Sequence, residues 1–151
     1  MKLARNYISS SARFSRVTNG LLVLDVGGSL NDRDWQALND DAYLQARRFD
    51  STGVVVTLDR SDVDVCGDIA LRQLDLLASL DRSAFVPGAF VVAQRDLGLF
   101  RDLAWKMATM GMVAAAFTNA NDAANFAQRK GEVWAAELAF RRSQGVREPQ
   151  G

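Results

Sequence analysis

The chain has 151 residues, with 18 basic and 18 acidic side chains, one Cys and no His. That length suits one domain and buries roughly 68–70% of the surface its unfolded form exposes, so no metal or disulfide staple is needed. Without histidine there is no Ser-His-Asp or Cys-His pair, no imidazole ligand and no histidine switch, and one Cys makes neither an internal disulfide nor a CxxC motif.

The basic residues are 15 Arg and 3 Lys, scattered along the chain, with tight pairs only at Arg47-Arg48 and Arg141-Arg142. Zero net charge with no basic stripe argues against nucleic acid as a partner. The acids are 15 Asp and 3 Glu, a bias that suits caps and loops better than long exposed helices. The start, Met1 to Ile8, lacks the apolar run of a secretory signal. The longest apolar region, Met107 to Phe117, contains Thr109 and Gly111, so no span long enough to cross a membrane is expected.

Residues 13–17 alternate weakly, Thr18-Asn19-Gly20 is a turn signal, and 21–26 is rich in β-formers. Together they predict an opening antiparallel hairpin, stopped by Gly27-Gly28. Asn31 and Asp32 suit a helix N-cap, and Asp34 sits where the helix dipole favours an acid. Trp35, Leu38, Ala42, Ala46 and Phe49 then form one apolar face of a helix over about 33–49. Val54 to Leu58 is a continuous apolar, β-branched run broken only by Thr57, the pattern of a strand covered on both faces.

An acidic loop is expected from Asp59 to Asp68, with Asp68 capping a second helix built on Ile69, Leu71, Leu74, Leu77, Ala78 and Leu80. Asp81-Arg82-Ser83 and Pro87-Gly88 bracket the next connection, and 89–93 reads as another buried strand. Phe100, Leu103, Ala104, Met107 and Met110 mark a helix from Leu97 to Met110, with Gly111 at its C-cap. Val113 to Phe117 is the last strand. Asn119 or Asn121 caps a final helix to about Arg142, with a break allowed at Gly131 and an inner face of Phe126, Ala127, Val133, Trp134 and Leu138.

The predicted fold class is therefore α/β, in the order ββαβαβαβα. A mostly parallel central sheet opens with an N-terminal β-hairpin, and helices pack on it. Residues 1–12 are read as a lead-in, 13–142 as a single domain and 143–151 as a flexible tail.

The acidic segment is the densest cluster of chemistry-bearing residues, since Asp59, Asp62, Asp64 and Asp68 fall at the carboxyl end of a central strand. Asp62-x-Asp64-x-Cys66-Gly67-Asp68 echoes a calcium loop but has Cys at the fifth position and Gln73 at the twelfth, so no metal site is assigned. Cys66 precedes a helix N-terminus, yet carboxylates surround it and no base activates it, which makes it a structural thiol. Asp59 after a strand lacks the acidic pair and the Lys of a receiver phosphorylation site. Gly27-Gly28-Ser29 lacks the spacing and the Lys of a phosphate loop. No cofactor motif and no catalytic constellation emerge. Trp35, Trp105, Met107 and Met110 could line an apolar pocket, although such residues at helical spacing more often form plain core.

The element order and three stretches resemble the STAS domain family, the bacterial anti-sigma-factor antagonists and their relatives. The stretches are Leu22 to Leu30, Val54 to Leu58 with Ile69 to Leu74, and Ala115 to Ala124. The resemblance covers about 13–130 and implies a bacterial, cytoplasmic, non-enzymatic module that binds a protein partner or itself. In that family the loop before the second helix presents a phosphorylatable Ser. Here the segment reads Asp64-Val65-Cys66-Gly67-Asp68, with no Ser or Thr from Val63 to Ala78. The kinase-driven switch is therefore not carried over, and the expected partner surface is Asp59, Asp62, Asp64, Cys66 and Asp68. A homodimer through an exposed N-terminal strand edge is one form that partnership could take. The alternative reading is a carrier or sensor of an apolar small molecule or lipid in the Trp and Met pocket.

Overall fold

The computed structural model describes residues 11–80 and 85–144. The expected lead-in up to residue 10, the tail from 145 and the Asp81-Arg82-Ser83 connection lie outside them. Strands β1 (Ser11–Thr18) and β2 (Leu21–Asn31) form the opening hairpin, with Thr18 paired to Leu21. Asn19 and Gly20 take φ of 52° and 79°, the two positive values a tight two-residue hairpin turn needs.

The other strands pair in parallel: β2 with β3 (Gly53–Thr57), β3 with β5 (Gly88–Val91), and β5 with β6 (Ala114–Phe117). The resulting sheet order is β1-β2-β3-β5-β6. Helices α1 (Asp32–Arg48), α2 (Gly67–Leu80), α3 (Leu97–Thr109) and α4 (Ala120–Ser143) connect or follow them, with a 3-10 turn at Gln94–Asp96 leading into α3. The α/β class and the mostly parallel sheet are as expected.

Two boundaries differ from the expectation. Strand β2 does not stop at Gly27-Gly28 but runs through them to Asn31. Alongside its extension lies a further strand, β4 (Ser61–Asp64), where a loop was expected. Thr57 opposes Asp25 and Ser61 opposes Gly28. One chain thus advances by four residues while its neighbour advances by three, so β3 and β4 form a single line of chain interrupted by a bulge. Gly28 takes φ of +85° at this bend, a conformation that favours glycine. Strand β4 escapes sequence reading because its four residues are Ser-Asp-Val-Asp, a composition that mimics a loop.

The sheet's two faces bury different material. On one face Leu22, Leu24, Val54, Val56 and Phe90 meet Trp35 and Leu38 of α1, Ala70 and Leu74 of α2, and Phe100, Leu103 and Met107 of α3. At its centre Trp35 stands edge-on to Phe100 with centroids 5.8 Å apart, and Phe90 lies 5.9 Å from Trp35 and 5.2 Å from Phe100. On the other face Leu21, Val55, Ala89 and Val91 meet α4 through Ala123 and Ala127.

The caps follow the local chemistry. Asn31 accepts from the Asp34 N–H at 3.0 Å while the Asp34 carboxylate accepts from the Asn31 N–H at 3.3 Å, a reciprocal capping box. Asn119 caps α4 by accepting from the N–H groups of Asn121 and Asp122. After α3, Gly111 donates to the Ala108 carbonyl and Met112 to that of Met107, both at 3.1 Å, which closes the helix with a Schellman motif.

Helix α4 keeps Ala127 and Phe126 of the expected inner face and corrects Val133. It runs unbroken through Gly131, its buried positions are Ala123, Ala127 and Gly131, and Val133 is more than half exposed. The selecting constraint is close approach. A Cβ on Gly131 would collide with the Thr52 carbonyl, and one on Gly53 would lie 2.8 Å from the Ala127 carbonyl. Helix propensity alone would make Gly131→Ala stabilising by about 1 kcal/mol. We expect the opposite sign, a loss of about 1–3 kcal/mol from overpacking, read as a lower midpoint in urea denaturation. Trp35→Ala, which empties the centre of the other face, should cost about 3–5 kcal/mol in the same assay.

Candidate functional site

The acidic segment is ordered by β4. Its register sets Ser29 beside Asp62, Leu30 beside Val63 and Asn31 beside Asp64, so the segment runs along the end of β2 into the first residues of α1. Alternation then sorts the side chains. Asp62 and Asp64 face solvent, whereas Val63 and Val65 pack against the core. Asp59 is exposed in the turn before β4. Cys66 is exposed, and its backbone N–H donates to the Asp32 carboxylate, which ties the α2 start to the α1 start. Asp68 is exposed in the first turn of α2, one residue inside the helix rather than at its cap, where the dipole still favours a negative charge.

The structure therefore gathers Asp62, Asp64, Cys66 and Asp68 along one edge, with Asp59 at its beginning. Arg95, in the 3-10 turn after β5, crosses to this edge. Its guanidinium donates to the Ser61 carbonyl at 3.1 Å and lies 3.5 Å from the Asp62 carboxylate. Nothing in the local sequence marks Arg95 for that position, because the contact exists only once β4 and β5 diverge. Ser61 is buried, and its hydroxyl donates to the Val26 carbonyl at 2.8 Å. Among the described residues, no group of three His, Cys, Asp or Glu side chains is placed to hold a metal ion.

Beside the acidic edge lies a small apolar cleft of about 20 Å³, floored by Trp35 and walled by Val65, Gly67, Ala70, Leu99 and Leu103. Asp102 and Lys106 line it as well and pair with each other at 3.2 Å. Ile69 on α2 and Leu99 on α3 are each 38% exposed. Sequence reading missed Leu99 because it falls off the buried stripe of α3.

The four residues of the expected Trp and Met pocket do not converge. Trp35 and Met107 are buried core, Met110 is half-buried at the end of α3, and Trp105 is 69% exposed. Positions 105 and 107 lie about 200° apart around a helix with 3.6 residues per turn, so one must face out when the other faces in. That set is corrected to three separate environments.

No family model matches the chain, and no curated protein matches it. Solved structures do match. One is an uncharacterised protein of the DUF3478 family with a SpoIIAA-like fold from Shewanella loihica PV-4, at a TM-score of 0.51 and 12% identity. The match covers 82% of this chain and 98% of that one. The chain thus has a SpoIIAA-like, that is STAS-like, fold. Among the described residues no helix is long and apolar enough to cross a membrane.

Ser61→Ala should lower stability by about 1–3 kcal/mol, because the buried Val26 carbonyl loses a donor, and the loss is measured by thermal or urea unfolding. Arg95→Ala, at a largely exposed pair, should change the same unfolding midpoint far less.

Proposed function

We propose that this protein is a non-enzymatic STAS-like interaction domain of the cytoplasm that docks a protein partner on the surface made by β4, the start of α2 and the first turns of α3. The observation that carries this reading is the adjacency of two unlike surfaces. An outward row of carboxylates, with the Asp62 side chain 88% exposed, borders an apolar cleft that partly exposed Leu99 lines. A buried apolar anchor ringed by charge is the usual composition of a docking patch. The partner that fits it carries an apolar side chain for the cleft and basic residues for the rim. Such charges act mainly on association rate and specificity.

The same surface is constitutive in this reading. The segment from Val63 to Ala78 has no hydroxyl side chain, and the nearby Ser61 is buried with its hydroxyl committed to Val26. In this reading Asp68 or Asp64 supplies fixed negative charge in the segment where the STAS antagonists carry a phosphorylated Ser.

The test is affinity isolation of the tagged protein from its own host, followed by binding of the retained partner to purified variants. Asp64→Arg with Asp68→Arg, and separately Leu99→Asp, should each weaken partner binding at least tenfold with unchanged circular dichroism. Wild-type binding should also fall as salt is raised. Full partner binding by both variants would remove this surface from consideration.

A further inference from the structure

Helix α4 carries an apolar stripe that its own sheet does not use. Its buried positions end at Gly131, which lies against the Thr52 carbonyl just before the start of β3. From Glu132 to Ser143 the helix continues with no residue buried. Trp134 and Leu138 are half-buried, on the same side as Ala127 and Gly131. Val133, Ala136 and Phe140 fall on the far side, and Val133 and Phe140 are 55% and 64% exposed. Apolar residues on both sides of a helix call for a covering on both sides. The outward three are spaced by three and then four, the repeat of a helix-pairing seam.

The charges beside the stripe decide what covers it. Lys130 and Glu137 flank it on one side, Glu132 flanks it on the other, and Arg129 continues it toward the start of the helix, all of them exposed. We infer that the stripe is a self-association surface on which a second copy of this chain lays its own α4 antiparallel, across a two-fold axis between Val133 and Ala136. In that register Val133 meets Ala136 of the second copy, Phe140 meets Arg129 and Lys130 meets Glu137, each contact occurring twice by symmetry. Glu132 falls opposite Ala139. The small Ala136 lets the helices approach, and a guanidinium over a ring is itself favourable. A parallel pairing fails on charge, because it sets Arg129 against Arg129 in the seam and Glu132 against Glu137 on both flanks. A seam of one helix per partner covers less than the roughly 800 Å² a side of a stable complex, so dimer and monomer exchange. Helix α4 packs on the sheet face opposite α1, α2 and α3, so the seam leaves the acidic docking surface open, and either surface can fail without the other.

The test is sedimentation velocity of the full chain from about 1 μM to 1 mM. The wild type should pass from monomer toward dimer as concentration rises. Lys130→Glu and Glu137→Lys each turn both ion pairs into repulsions and should each weaken dimerisation about tenfold or more. The two combined should restore it, since the pairs re-form with signs exchanged. Phe140→Asp should weaken it as much, with unchanged circular dichroism, and Val133→Asp serves if that variant does not fold. A wild type that stays monomeric throughout overturns the inference and leaves the stripe to residues 145–151 or to a different protein. Undiminished dimerisation by a folded Asp variant also overturns it and places the seam elsewhere, such as the N-terminal strand edge. So do single reversals without effect, or a double reversal that does not recover.

Discussion

One added residue between β3 and β4 organises the functional end of this molecule. Up to Thr57 the chain lies between β2 and β5. After the bulge it stays with β2 alone, so the sheet opens between β4 and β5. Three things depend on that divergence. The acidic residues are held in a strand rather than a loop, Arg95 finds the Ser61 carbonyl across the gap, and α2 starts near the first turn of α1. The buried bond from the Ser61 hydroxyl to the Val26 carbonyl fixes the bend from within. A hydroxyl at 61 therefore serves register, and the outward carboxylates inherit their positions from it.

The two faces of the sheet solve the burial problem differently. The face under α1, α2 and α3 uses large side chains, and its aromatic group of Trp35, Phe90 and Phe100 fills the widest part. The face under α4 uses Ala123, Ala127 and Gly131, so backbones approach and few side-chain atoms are needed. Close packing demands that both be filled to similar density.

Much of the fold was legible because its signals are local. Asn19-Gly20 announced the hairpin, Val54 to Leu58 a doubly covered strand, and Asn31, Asn119 and Gly111 the helix ends. The failures share a cause in tertiary contact. Gly27-Gly28 read as a stop but lies within a strand that gains a partner from 33 residues away. Of the expected α4 face of Phe126, Ala127, Val133, Trp134 and Leu138, Ala127 is buried and Phe126 packs on the core, whereas Val133 is more than half exposed and the closest packing falls to Ala123, Ala127 and Gly131. The candidate acids were visible as a cluster, and their outward alternation came only from β4. Trp105 was grouped with Met107 by chemistry although their spacing separates them by half a helical turn.

The tight turn at Asn19-Gly20 bears on how the molecule assembles. Among the described residues its hairpin is the one strand pairing closed by a two-residue turn, since every parallel pair needs a longer crossover to close first. Hairpins form in about 1–10 μs, whereas non-local parallel pairing is slow. Strand β2 can therefore be presented early as an ordered template, with β3 and β4 arriving later along its free side. A lesion in that turn would act chiefly on the rate of refolding, leaving the lifetime of the assembled protein nearly untouched.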